Sequence, residues 1–277
     1  MSEATDILDR LAIVMAHPDD EVLWACSALK AAEKIILVYG DRPNEPAFNE
    51  GRRASMAEFP LPTLDWLALP EVGVFDSASW PEVRETDYGL YPHRALRILD
   101  HFNPEAYRAT FGKLTDALRP RFAGIRNVIA HGPWGEYGHE DHVQVFRVVE
   151  RLAAEMGFRL WVPAYVAQKS EALMLRNLRF FGRPTPPMPI DAALAAEITD
   201  LYKRTNTWTF SDTYVWPKSE RFLPFIAGGA PPGDRADPAD VHHIVFPADH
   251  DAWRKFLPWR REAARKVLSW INGRRFG

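Results

Sequence analysis

The sequence predicts an α/β protein: a Rossmann-like, mostly parallel sheet with helices on both faces, plus a C-terminal cap of helices and loops. Three observations predict it. Short, continuously apolar runs at 11–16, 34–39 and 126–130 read as strands buried on both faces. Helical patterns at 21–32 and 104–118 separate them, which is the rhythm of β-α-β connections. Two of the runs end in polar clusters that open a helix, as strands do at the carboxyl edge of a parallel sheet.

Taken in order, Leu11–Ala16 is the first strand, 21–32 its crossover helix, and Lys34–Tyr39 the second strand, ending at Gly40-Asp41. Ala16-His17-Pro18 stands where a dinucleotide fold carries its glycines, which excludes a nicotinamide or flavin site. Residues 48–58 form a weakly amphipathic helix bearing Arg52 and Arg53, and 63–69 a third strand. The stretch 70–104 is rich in loops, with a helix suggested at 88–102 by Leu96, Leu99 and Phe102. Loops of that length are commonly functional, so part of it is expected to wall a pocket. His93 and His101 read as lone surface or satisfied histidines. A helix at 104–118 closes at Pro120 and a strand follows at 126–130. A turn-rich loop (131–138), a helix to about 156 and a strand at 159–166 complete the pattern.

Beyond 167 the rhythm fades. A helix at 191–204 has Asp191 as its N-cap, 207–216 is aromatic, 227–239 is a Gly/Pro-rich loop, and 258–272 is a closing helix. The reading is a catalytic core over 1–166 and an extension over 167–277 that packs on it and shapes the pocket.

A hydrophobic fraction of 47% and a charged fraction of 26% suit a globular chain of 277 residues with a real core. A net charge of −3 offers no basic field to nucleic acid or an anionic membrane. The lone Cys26 excludes an internal disulfide, and no zinc-finger spacing is present. The acid-bearing segment Met1–Arg10 and the short run 11–16 predict neither a signal peptide nor a membrane span. The expectation is a soluble cytoplasmic protein, with a homo-oligomer left open.

Chemistry concentrates at two strand ends. The first is Ile13-Val14-Met15-Ala16-His17-Pro18-Asp19-Asp20-Glu21. Three consecutive acids repel one another. A helix N-terminus offsets part of that, and a divalent cation offsets far more. The second is Tyr137-Gly138-His139-Glu140-Asp141-His142, whose two histidines are three apart and share a helix face. Two His/Asp junctions at one sheet edge read as one site. Two His and one Asp form a plausible catalytic zinc set with a position left for water.

Together the AHPDDE and GHEDH segments resemble the paired motif of the PIG-L/LmbE-type zinc-dependent N-deacetylases, over about the first 165 residues. The resemblance implies one Zn2+ per chain held by His17, Asp20 and His142, although other divalent metals suit such ligands. It implies Asp19 as general base. It also implies that His139 steadies the oxyanion as an imidazolium, that Asp141 orients and charges it, and that Tyr137 helps hold the carbonyl or oxyanion. Similar family members place an arginine on the helix at 48–58, usually followed three residues later by glutamate. Ser55 and Met56 stand there instead, and Arg52 and Arg53 are the candidate substrate contacts, with His131 beside the site. Glu21 reads as a first-turn acid or a ligand's partner, and Glu136 and Glu140 as solvated or substrate-facing. The pair His242-His243 does not read as a second metal site. The implied activity removes acetyl from a small-molecule N-acetylated amino sugar or sugar conjugate. The alternatives are an amidase acting on a non-sugar amide in thiol-conjugate or natural-product metabolism, and a catalytically silent metal-binding relative.

Overall fold

A computed structural model of the chain describes residues 6–92 and 103–244. The expected helix at 258–272, most of that at 88–102, and His93 and His101 lie outside the described residues.

The first elements are β1 (Leu11–Met15), α1 (Asp20–Trp24), β2 (Lys34–Tyr39), α2 (Pro46–Ala57) and β3 (Leu64–Leu69). A hairpin of β4 (Glu85–Thr86) and β5 (Gly89–Leu90) precedes α3 (Pro104–Leu118), β6 (Asn127–Ala130), α4 (Glu140–Met156) and β7 (Arg159–Pro163). Then come β8 (Tyr165–Ala167), α5 (Glu171–Asn177), β9 (Met188–Pro189) and α6 (Ala192–Arg204). The last are β10 (Ser219–Glu220), β11 (Phe222–Pro224) and β12 (His242–Ile244). The main sheet has six strands in the order β11-β7-β6-β1-β2-β3. All its pairings are parallel except that of β11 with β7. The chain winds outward from β1 to β3, then restarts on the other side with β6. The strand order therefore reverses between β1 and β6, and a crevice opens at such a point.

Both faces of β1 are covered. Ala12 and Val14 join a cluster with Leu114 and Leu118 of α3 and Val145, Phe146 and Val149 of α4. Ile13 and Met15, which point the other way, are equally buried. This is why the run is continuously apolar.

Two expected elements come out differently, each because a distant partner takes a backbone group. The helix expected at 21–32 is α-helical only to Trp24 and continues as a 3-10 turn over Cys26–Ala31. The Val22 carbonyl accepts from Trp216 Nε1 (2.8 Å), and the Ser27 N–H donates to Glu220 Oε2 (2.7 Å). Both groups would otherwise serve the α-helical ladder. The strand expected at 159–166 splits at Ala164, whose N–H donates to the Arg221 carbonyl while β8 pairs with β12 instead. The aromatic stretch 207–216 forms no strand; the N–H groups of Thr207 and Trp208 both donate to the Tyr202 carbonyl.

The described residues fall into two units, one of 6–208 with Trp216–Ile244 and one that includes Thr209–Val215. Of the second unit only Thr209–Val215 is described, a turn in which Phe210 meets the Tyr214 ring edge-on at 5.1 Å.

Candidate metal centre

The two motif junctions meet at the β1/β6 reversal, and Asp20 stands between them. Its Oδ2 accepts the His17 N–H (2.8 Å) and lies 3.2 Å from His17 Nδ1 and 3.2 Å from His142 Nε2. Its Oδ1 accepts from Trp24 Nε1 at 3.0 Å. Burial opposes ionisation of Asp20, but His142, His131 and His17 outweigh it and hold the carboxyl well below the usual range. Ring nitrogens of His17, His139 and His142 lie within 4.8 Å of one another. His142 Nε2 is enclosed and has no hydrogen-bond partner. Buried polar atoms are rarely left so, because the desolvation cost goes unrecovered. The donors facing this atom, an imidazole and a carboxylate, are those a divalent cation takes.

A second carboxylate sets the rings. Glu136 Oε2 lies 2.8 Å from Nδ1 of His142 and 2.8 Å from Nδ1 of His131, and its Oε1 accepts the Gly132 N–H. His142 thus donates from Nδ1 and turns Nε2 toward Asp20. The His131 ring stacks on His142 at 3.7 Å, and its Nε2 accepts the Ala16 N–H at 2.8 Å. Burial disfavours a charged His131 while Glu136 and Asp20 favour it, to about 9. A proton on Nε2 would face the Ala16 N–H, so both contacts are met only by the neutral ring. Gly135 (φ 63) makes the turn possible: a Cβ there would sit 2.6 Å from the His139 carbonyl oxygen. Glu136 was expected to be solvated or substrate-facing; it is buried, and His131 and His142 hold it at about 2 against burial.

His139 caps α4, its Nδ1 accepting the Asp141 N–H at 3.2 Å. Burial first, then His142 and His17, hold His139 well below its ordinary value. With Nδ1 accepting the Asp141 N–H, the ring's donor position is Nε2. Asp141 meets His139 through its backbone N–H, while its carboxylate Oδ2 lies 3.4 Å from His17 Nε2 and leaves His17 Nδ1 facing Asp20. The Tyr137 ring stands edge-on to His142 (5.2 Å) and His139 (5.9 Å). Burial, then Asp20 and Asp19, keep its hydroxyl protonated well above the usual range. Asp19 is buried and takes a left-handed backbone (φ 103), which costs about 1–3 kcal/mol for a residue with a Cβ.

No protein-family profile matches this chain, and no curated protein sequence matches it. Solved structures do. A deacetylase from the biosynthesis pathway of teicoplanin, complexed with bog, aligns with a TM-score of 0.51 at 13% identity, over 82% of this chain and 98% of that one. The zinc-inhibited form of teicoplanin deacetylase Orf2 aligns at 0.50 with 14% identity, over 82% and 98%. The A40926 pseudoaglycone deacetylase Dbv21 gives 0.49 at 14% identity, over 80% and 99%. The fold is that of the two teicoplanin-pathway deacetylases.

Around the centre, this deacetylase fold brings in residues that sequence motifs do not reveal. Glu71, just past β3, has Oε1 4.0 Å from His17 Nε2. Burial opposes its charge, but Arg42 and Arg52 hold it at about 2. Arg52 is fully buried against Glu71, the Gly40 carbonyl and the Phe48 ring, so it acts through Glu71 and does not reach a substrate. Arg53 turns to the surface and pairs with the equally exposed Asp41. His131, enclosed between Ala16 and Glu136, also lacks access to substrate. Phe75 lies 4.7 Å from the His139 ring, a wall supplied by the long loop. Glu140 is buried and fastens that loop, accepting from the Asp76 and Ala78 N–H groups and Trp80 Nε1. Lys169 Nζ donates to the Gly138 carbonyl (2.8 Å) and lies 3.5 Å from Asp76, joining loop to motif. A surface cavity of about 850 Å³ lined by Phe111, Phe158, Trp161 and Phe225 contains none of the motif residues. No helix among the described residues is long and apolar enough to cross a membrane.

Proposed function

We propose that the chain is a zinc-dependent N-deacetylase that removes an acetyl group from an N-acetylated amino sugar or a sugar conjugate. The observation that carries this reading is the enclosed, unpartnered His142 Nε2 beside Asp20 and His17. In this reading those three residues would hold one divalent cation, which would supply water acidification and polarisation of the acetyl carbonyl. The likeness to teicoplanin-pathway deacetylases, one in a zinc-inhibited form, supports both metal and reaction class.

In this reading Asp19 takes a proton from the attacking water and later passes one to the departing amine. The His139 Nε2–H and the Tyr137 hydroxyl donate to the developing oxyanion. Each such donor contributes on the order of 10²–10³ in rate. Asp141 keeps His17 turned to the metal position, and Glu136 does the same for His142. Phe75 offers an apolar face to the substrate beside His139.

The test is acetate release from N-acetylglucosamine, its conjugates and non-sugar N-acetyl amides, with chelator and with zinc restored. We expect chelator-sensitive release from the sugar compounds, and none from an Asp19→Ala variant that still holds one zinc. Release confined to the non-sugar amides would replace the substrate class. Zinc-loaded protein inert on the whole panel would sink the reading.

A further inference from the structure

Tyr202 reaches the first motif from α6, 181 residues away in sequence. Its hydroxyl donates to Glu21 Oε1 at 2.8 Å. The other oxygen of that carboxyl, Oε2, accepts the N–H of Asp19 at 3.1 Å. Glu21 and Tyr202 are fully enclosed, and Asp19 nearly so. The three form a strut that runs from α6 to the peptide of Asp19, the residue of the first motif with a left-handed backbone. Asp20 is held independently, through the His17 N–H and Trp24. The strut therefore acts on Asp19 and not on the metal set.

We infer that Tyr202 and Glu21 are positioning residues for Asp19, holding its peptide in the left-handed bend that aims its carboxylate. The inference rests on the base role proposed above for Asp19. Without the Tyr202 hydroxyl, the Glu21 carboxyl loses the donor that fixes its rotamer. The Asp19 amide then loses a fixed acceptor, and the strained bend relaxes. A glutamine at 21 preserves the strut, because its carbonyl accepts the Asp19 N–H while its amide donates to the Tyr202 oxygen.

The experiment compares full-length Tyr202→Phe, Glu21→Gln, Glu21→Ala and Asp19→Asn. Each is loaded with one zinc and assayed on the best substrate of the panel. Hydrogen exchange at the Asp19 amide is followed in parallel. Tyr202→Phe and Glu21→Ala should lower kcat by about 10- to 100-fold, the usual effect of losing a supporting hydrogen bond. KM and zinc content should hold, and exchange at Asp19 should quicken by a similar factor. Glu21→Gln should stay near wild type in both readouts. Wild-type kcat and exchange in Tyr202→Phe would overturn the inference. So would equal losses in Glu21→Gln and Glu21→Ala, which compare the strut without relying on Tyr202. Full turnover in Asp19→Asn overturns instead the base role, and the exchange data still report on the strut.

Discussion

At the scale of the residue, the site depends on carboxylates that touch no reacting atom. Glu136 binds Nδ1 of two stacked imidazoles and so decides which nitrogen of His142 is free. Glu136→Gln keeps one acceptor oxygen; set on the two rings as Oε2 is, it leaves the amide NH2 against the Gly132 N–H, and flipped it leaves the NH2 against the rings' Nδ1–H groups. Zinc affinity should fall by about 10- to 100-fold while the fold survives, as competition with a chromophoric chelator would measure. Unchanged affinity would show that packing alone sets the His142 ring. His17, Asp20, His139, Asp141 and His142 were legible in the sequence because each sits in a dense polar motif at a strand end. Glu136 and Glu71 were not. One stands among turn residues that usually face solvent, and the other gains meaning only through Arg42 and Arg52, which the fold brings to it. The downward shift of His139 was unreadable for a related reason: burial and neighbouring rings cause it, and neither is written in local spacing.

At the scale of the element, periodicity located β1, β2, β6, α3, α4 and α6 within a residue or two, since each buries a regular run of apolar side chains. It failed where side chains from elsewhere capture backbone groups, as at α1, where Trp216 and Glu220 interrupt the ladder. Glu220 shows what that capture involves. It is buried, and burial pushes its carboxyl up to about 7 although the Ser27 and Tyr165 contacts oppose this. The folded chain thus holds the proton more tightly than the unfolded one, whose value is near 4.5. The stability from this group is complete below the unfolded value and is lost as pH rises through about 7. Glu220→Gln, a neutral isostere that still accepts from Ser27, should therefore melt with wild type at pH 5. At pH 8 it should melt higher by roughly 3–6 °C. Thermal melts at the two pH values, with zinc content fixed, decide it; a variant less stable at pH 8 would mean that the charged carboxylate is the form the Ser27 amide requires.

At the scale of the molecule, residues 167–208 and 216–244 are wound into the part that carries the motifs. β11 adds the last strand to the main sheet against β7. Asp191 receives Lys30, Glu220 holds Ser27, Trp216 holds Val22 and Tyr202 holds Glu21, so four positions of the later chain grip the segment leading from Glu21 to Lys30. The sequence shows this segment as a plain crossover helix, because its partners lie far along the chain and follow no period of their own. A fragment of residues 1–166 would leave β7 as a bare apolar edge, with Leu160 and Val162 exposed and the β1–α1 junction held from one side only. It should show no cooperative thermal transition and bind no stoichiometric zinc, as circular dichroism and metal analysis of the refolded fragment would report. A cooperative melt with full zinc binding would instead make residues 1–166 a self-sufficient core. The later chain would then serve chiefly to position Asp19 and line the pocket.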